Sequence, residues 1–550
     1  MSDPQRRASS GPLPPLLLLA DPLSREGLRR WLTLDPPRYR LVDSPDQLEG
    51  VPRLVIWTLT SQPSAPALVE ELRQLQERWH PCPVLLILSS ALRLPRDLLL
   101  NLSLPGLLQG PDPATLREAV DTLLAGGRVV ELMGDASDEA SGREPFPMGL
   151  GQWLLVSGLQ QIDAELRVCV RLLDPPPTGW LAILLLQGRR RELLVARSLL
   201  LWLWGPLTMA WGWEAPAAAA TAAPEPGAPA LALTLSQRNA DGIWEALRGR
   251  LRAVLLATPE NATGQLLASD GLRAERRRDL LLALLEQLET LRQSLRVQDQ
   301  PTDSLLQRWT ALQPALRQQA LRQMAGPYVQ LPREGTLRPV ADTLLSQSDL
   351  SGDDPELPNP ETMLAALFQA RPLVVEGRLR AADEPQAVLY LEMLLANWLV
   401  RSAERISGEV LALSAEWPEL RAYLLRDNLL STRNLERLRN QLNAQERWFE
   451  WVRRPIRLYE SRRPLFSLQR EGIRLLESTE PRDAELKRLR GPQQLITLLM
   501  ELRDALAPQV QSVVRALGQL VVVLLTRVIG RAIGLVGRGI AQGMGRGLER

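Results

Sequence analysis

From residue 14 to about residue 130 the chain alternates short apolar runs with amphipathic stretches. The runs are PLLLLA around Leu16 to Leu19, YRLV at Tyr39 to Val42, RLVIW at Arg53 to Trp57, PVLLIL at Pro83 to Leu88 and PGLLQ at Pro105 to Gln109. Between them SREGLRRWL, PALVEELRQLQERW and PATLREAVDTLLAGG keep helical spacing, and the last ends in the glycines that stop helices. Five apolar strands interleaved with helices predict an α/β N-terminal domain over 14–130, a doubly wound parallel five-stranded sheet.

The period then changes. Residues 1–13 read as a disordered tail and 131–147, small, acidic and polar, as a linker. In the helical segment 148–213 the positions Leu159, Ile162, Leu166, Cys169 and Val170 share one face. Its end, SLLLWLWGPLTMAWGW at 198–213, is uncharged for sixteen positions, short of the roughly 20 a spanning helix needs, and Gly205-Pro206 interrupts it. A buried helix pair fits that stretch; so does a bilayer interface holding Trp202, Trp204, Trp211 and Trp213. An Ala/Pro-rich linker follows at 214–230, then a helical region at 231–345, an acidic, solvated loop at 346–362 and a helical domain at 363–504. That domain holds a strand pair near RPLVVEGRL and the long helix of PQAVLYLEMLLANWLVRSAERI, so the body beyond the first domain is mostly α-helical.

Composition removes several chemistries. Of the 65 basic residues only Lys487 is a lysine, and it lies in the charged run AELKRLR rather than behind a glycine loop, which leaves no Walker-type phosphate clamp. Cys82 and Cys169 are far apart and unpatterned, and His80 is the only histidine, so neither a zinc site nor a Ser-His-Asp triad is indicated. The first fifteen residues carry no apolar core of a signal peptide, which points to a cytoplasmic location. No enzyme activity and no cofactor is expected.

The N-terminal pattern resembles the receiver domain of two-component response regulators, above all in DPLSREGLRRWL and LREAVDTLLAGGRVV. The resemblance implies a magnesium-binding acidic pair, an aspartate that accepts the phosphoryl group, a switch hydroxyl and a lysine. At the matching positions stand Ala20 and Asp21 for the pair, Thr58 for the phosphoacceptor, Ser89 for the hydroxyl and Gln109 for the lysine. One acid of three remains, without the nucleophile or the cation that phosphoryl transfer requires. A chemically silent pseudo-receiver is the expectation.

The segment RDNLLSTRNLERLRNQLNAQERWFEWVRRPIRLYESRRPLFSL, Arg426 to Leu468, resembles the family known as hypothetical chloroplast reading frame fifty-five, with a related cyanobacterial domain of unknown function. The resemblance implies an oxygenic phototroph and brings no catalytic residues. From Arg421 to Arg470 twelve arginines stand against five acids, interleaved with aromatic residues. Arg433, Arg437, Arg439, Trp448, Trp451 and Tyr459 form a candidate interaction surface for a protein or a lipid headgroup. The same pattern also suits a helical hairpin cored by Leu435, Leu438 and Leu442, and less well single-stranded nucleic acid.

The last stretch, 505–550, has no acid between Asp504 and Glu549. At about 100° per residue Arg527, Arg531 and Arg538 fall within about 40° of one another, one cationic stripe on an apolar helix. Gly530 and Gly534, and again Gly539 and Gly543, are four apart, a spacing that permits close helix approach. A C-terminal amphipathic helix lying on an anionic membrane is one reading, a helix buried in a bundle the other. Together these features predict a non-enzymatic adaptor, peripheral to a membrane such as the thylakoid and docking on a protein partner or membrane complex. The alternative is a regulator of receiver type that binds nucleic acid without phosphotransfer.

Overall fold

The computed structural model describes residues 13–33, 38–133, 229–296 and 302–505, positions 49, 93, 353, 355, 359 and 503 excepted. The expected disordered N-terminus, the 148–213 helical segment, nearly all of both flanking linkers and the tail beyond residue 505 lie outside the described residues. The chain divides into two compact units, one of residues 1–250, 300–306 and 361–391 and one of 251–299, 307–360 and 392–550.

The first unit is built on a seven-stranded sheet. Its strands are β1 (Pro15–Leu19), β2 (Arg40–Val42), β3 (Leu54–Leu59), β4 (Val84–Leu88), β5 (Gly106–Gln109), β6 (Arg128–Met133) and β7 (Pro229–Leu235), in the order β2-β1-β3-β4-β5-β6-β7. Every neighbouring pair is parallel except β6 and β7. Helices α1 (Pro22–Leu32), α2 (Ala65–Trp79), α3 (Arg96–Asn101) and α4 (Pro113–Leu124) connect the parallel strands. Leu16, Leu18, Leu54, Ile56 and Leu85 pack with Leu28 and Leu32 of α1 and Leu116, Val120 and Leu123 of α4. Leu17, Val55, Leu86 and Leu107, on the opposite face, are buried as well. Burial of both faces explains the near-continuous apolar runs, each fully buried leucine contributing about 1.5–3 kcal/mol.

The sheet is wider than the five strands expected. Gly126, at φ +88, ends α4, and RVVELM, expected to close the domain and open a linker, re-enters the sheet as β6. LALTL then adds an antiparallel edge, with Leu231, Leu233 and Leu235 turned inward and Ala232 and Thr234 outward. Gly127 permits this approach, since a Cβ there would stand 2.4 Å from the Leu235 carbonyl oxygen.

The first unit also holds the start of α5 (Ala240–Leu256). The second unit is mostly helical, as expected, and contains α6 (Ala274–Arg296), most of α7 (Thr302–Ala325), the hairpin β8 (Gln330–Arg333) and β9 (Thr336–Pro339), and α8 (Val340–Gln347). Helix α9 (Pro360–Gln369) and the hairpin β10 (Leu373–Val375) and β11 (Arg378–Arg380) belong to the first unit. Helix α10 (Pro385–Glu416) supplies its later turns to the second, where α11 (Pro418–Leu424), α12 (Thr432–Trp448) and α13 (Arg454–Tyr459) follow. A five-residue π turn, Phe449–Arg453, joins α12 to α13. The hairpin β12 (Arg462–Gln469) and β13 (Gly472–Thr479), the short α14 (Asp483–Leu486) and a helical stretch at 492–502 complete it. Its core includes Trp398, whose indole N–H donates to Gln313 Oε1 at 2.9 Å and whose ring lies 5.4 Å from that of Trp309.

The segment 346–362 is not simply solvated. Glu356 within it is 2% exposed, and Arg317 donates to the carbonyls of Leu350 and Gly352 at 3.0 Å. Two of its acids, Asp354 and Glu356, meet arginines that are remote in sequence.

Candidate functional site

In an open parallel sheet, ligands sit beyond the carboxyl ends of the strands. There the structure gathers all five positions singled out in the sequence: Ala20 and Asp21 follow β1, Thr58 is next to last in β3, Ser89 follows β4 and Gln109 ends β5. What surrounds them decides their chemistry.

Asp21 caps α1. Its Oδ1 accepts the Ser24 amide at 2.9 Å and its Oδ2 the Ser24 hydroxyl at 2.8 Å, so both oxygens serve the helix start. The Thr58 hydroxyl is buried and makes no hydrogen bond among the described residues. Ser89 forms a turn in which its Oγ accepts the Ala91 amide at 3.4 Å. Gln109 is built into the fold: its amide donates to the Leu92 carbonyl and its carbonyl accepts the Met133 amide, both at 3.0 Å. The Gln109 side chain therefore ties the loop after β4 to the end of β6. Sequence reasoning missed Arg25, whose guanidinium donates to the Ala20 carbonyl at 2.7 Å and brings one positive charge to this rim. Its only signal was its place one turn after Asp21.

His80, exposed, follows α2, and Cys82 precedes β4, at the amino end of the strands. Burial pushes the Cys82 thiol up to about 11, away from thiolate chemistry at neutral pH. Among the described residues no group of three or more His, Cys, Asp or Glu side chains is placed to hold a metal ion.

On the candidate surface of the second unit, Arg433 and Arg437 are exposed on α12, while Arg439 pairs with Glu436 at 2.8 Å. Trp448 and Trp451 are exposed, and the Tyr459 hydroxyl donates to Asp504 at 3.0 Å. These six positions thus divide between open surface and packed contact. Arg527, Gly530, Arg531, Gly534, Arg538, Gly539 and Gly543 lie outside the described residues.

Other arginines of the same basic segment point inward, into a network that composition hid. Glu356 holds Arg454 at 3.2 Å and Arg482 at 3.1 Å. Arg482, fully buried, also pairs with Glu485 at 2.7 Å, and Glu485 pairs with Arg463 at 2.7 Å. Burial works to depress Arg482, but Glu485 and Glu356 together raise it. Burial likewise opposes the charge on Glu485, and Arg482 and Arg463 hold it below its ordinary value. Nearby Arg401 pairs with Asp354 at 2.7 Å and donates to the Pro464 carbonyl at 3.2 Å. Every carboxylate in the network has an arginine partner, so the arrangement fastens the 354–356 loop to α13 and the β12–β13 hairpin.

A family described as "Cyanobacterial response regulator, helical hairpin domain" matches residues 149–204, and one described as "Protein of unknown function (DUF3685)" matches residues 354–545. The second span contains the whole Glu356 network. A "Ycf55-like protein" of Synechocystis sp. (strain ATCC 27184 / PCC 6803 / Kazusa) is 34% identical over 179 residues, 32% of each chain. The "Uncharacterized protein ycf55" of Porphyra purpurea is 29% identical over 133 residues, and that of Pyropia yezoensis 29% over 136, in each case 24% of this chain and 42% of the relative. The chain is similar to Ycf55-like proteins over part of its length, and the similarity spans about a third to two fifths of these relatives' length. No solved structure matches it.

Proposed function

We propose that the chain is a non-enzymatic adaptor: a receiver-type domain without phosphotransfer, joined to a helical Ycf55-like body that works at a membrane surface. The β2-β1-β3-β4-β5 order within the wider sheet is that of receiver-like doubly wound folds. The observation that carries the proposal is Gln109, whose two hydrogen bonds use the lysine position to hold β6 in place. With Ala20 and Thr58 in place of acids, the five rim positions keep only Asp21, and so supply neither the phosphoacceptor carboxylate nor a pair of acids for magnesium. A domain whose switch residues serve packing is suited to holding a partner constantly.

The membrane part of the proposal rests on the cationic, acid-free stripe of Arg527, Arg531 and Arg538. Cyanobacterial and algal relatives support a photosynthetic membrane as its location. Two measurements test the proposal. Incubating the full chain with labelled acetyl phosphate and Mg²⁺ is expected to leave the protein unlabelled; stable acyl phosphate on it refutes the silent rim. Flotation with vesicles containing phosphatidylglycerol is expected to carry the chain upward at low salt; a chain that stays at the bottom refutes the membrane role.

A further inference from the structure

The helical stretch at 492–502 is packed with its leucines outward. Gln493, Ile496, Thr497 and Met500 are wholly or partly buried, whereas Leu495, Leu498, Leu499 and Leu502 are each more than half exposed. At about 100° per residue the two sets lie on nearly opposite faces of the helix. Two contacts fix the orientation: Gln493 donates to the Glu450 carbonyl at 2.9 Å, and Asp504 accepts from the Tyr459 hydroxyl at 3.0 Å. The helix is thus anchored along the π turn and α13 by its more polar side. Four leucines at i, i+3, i+4 and i+7 normally mark the face a helix buries, so this face is made for an apolar environment outside the unit.

The surroundings indicate which environment. Lys487, Arg488 and Arg490, just before the helix, are all exposed, and Lys487 is the only lysine in the chain. Trp451, next in sequence to Glu450, is 56% exposed, and Trp448 is exposed one turn earlier. A leucine face flanked by cations and by indoles at the rim has the chemistry of a surface that enters the boundary of an anionic bilayer.

We infer that the Leu495, Leu498, Leu499 and Leu502 face, with Lys487, Arg488 and Arg490, is a membrane-docking surface of the second unit that seats on anionic lipid. This inference rests on the membrane reading above but uses different residues, so the two can fail separately. The folded helix fixes how the helical body meets the bilayer, which the tail alone does not.

The test uses the full-length protein and flotation on phosphatidylcholine vesicles with and without phosphatidylglycerol. Leu495→Ser, Leu498→Ser, Leu499→Ser and Leu502→Ser, made together, alter only exposed side chains and are expected to keep the thermal melt while weakening binding to the mixed vesicles at least about tenfold. Lys487→Gln, Arg488→Gln and Arg490→Gln together are expected to weaken binding to mixed vesicles and leave the weak binding to pure phosphatidylcholine unchanged. Arg527→Gln, Arg531→Gln and Arg538→Gln probe the tail. If only the tail variant loses binding, the membrane reading stands and the leucine surface is refuted. If only the leucine variant loses binding, the surface stands and the tail's part falls. A leucine variant that binds vesicles normally overturns the inference; a smaller sedimenting species then reassigns the face to contact between copies, and a lowered melt to cover by this chain's own C-terminal segment.

Discussion

The carboxyl end of the N-terminal sheet and the arginine network of the helical unit handle charge in opposite ways. At the sheet end Asp21 is the one charged residue among the five rim positions, and Gln109 is satisfied by two backbone groups. In the helical unit charges are kept and buried, with Glu356 and Arg482 paired at 3.1 Å. A buried ion pair is a poor source of net stability, but losing one partner is severe, because the other remains charged in a medium that solvates it badly. A neutral amide that loses its bonds leaves only two unpaired dipoles. The two regions therefore differ in how much a single substitution can damage them, and that difference can be measured.

The largest effect is expected from Glu356→Ala, which removes the buried carboxylate that Arg482 and Arg454 share and leaves Arg482 only Glu485 and Arg454 only Glu450 as acidic partners among the described residues. Denaturant unfolding should report a loss of about 3–5 kcal/mol, and Glu356→Leu combined with Arg482→Met should recover part of it. A loss below about 1 kcal/mol would mean that the network is hydrated and contributes as little as a surface pair.

Glu404 sharpens the contrast within the helical unit. Its two oxygens accept the amides of Ala268 at 2.5 Å and Ser269 at 3.1 Å, yet burial outweighs these bonds and pushes its carboxyl up from 4.5 to about 7. The folded state then keeps a proton that the unfolded chain has released. Stability from this group is complete below pH about 4.5 and is lost as the pH rises toward about 7. Melting curves across that window should show the decline, and Glu404→Gln should flatten it.

The first unit supplies its own exception. Buried Arg128 pairs with Asp383 at 3.1 Å, and burial pulls its guanidinium below the ordinary value while Asp383 opposes the fall. Asp383→Ala is expected to cost about 3 kcal/mol in a denaturant melt. An equal loss from Arg128→Met would show that lost packing, not the stranded charge, accounts for it. The smallest effect is expected at the sheet end itself. Gln109→Leu strands the Met133 amide and the Leu92 carbonyl, a loss of about 1–3 kcal/mol in the same melt, with no effect on phosphate labelling.

The sequence made the first five strands legible because each is an apolar run bounded by helix signals, as in PVLLIL before β4. Strands β6 and β7 were harder, since their pairing joins residues about a hundred positions apart. The five rim positions could be placed from strand order alone, but the bonds of Gln109 could not, because one partner lies on the unforeseen β6. Burial of Glu356 was hidden for a related reason: acids in SQSDLSGDDPELPNPET suggest water, and the arginines that neutralise this one come from α13 and from the residue before α14. The leucines at 495 to 502 show the opposite limit. Their spacing identifies a helix face, but only the structure shows that it points outward.

The antiparallel edge of the sheet also sets an order of events during synthesis. Strand β6 ends at Met133 and its partner β7 begins at Pro229. At about 5–20 residues per second the ribosome needs about 5–20 s to make the chain between them. For that interval β7 is not there to cover the edge of β6, so the nascent chain passes through a stage in which anything that binds an exposed strand can compete with its own last strand.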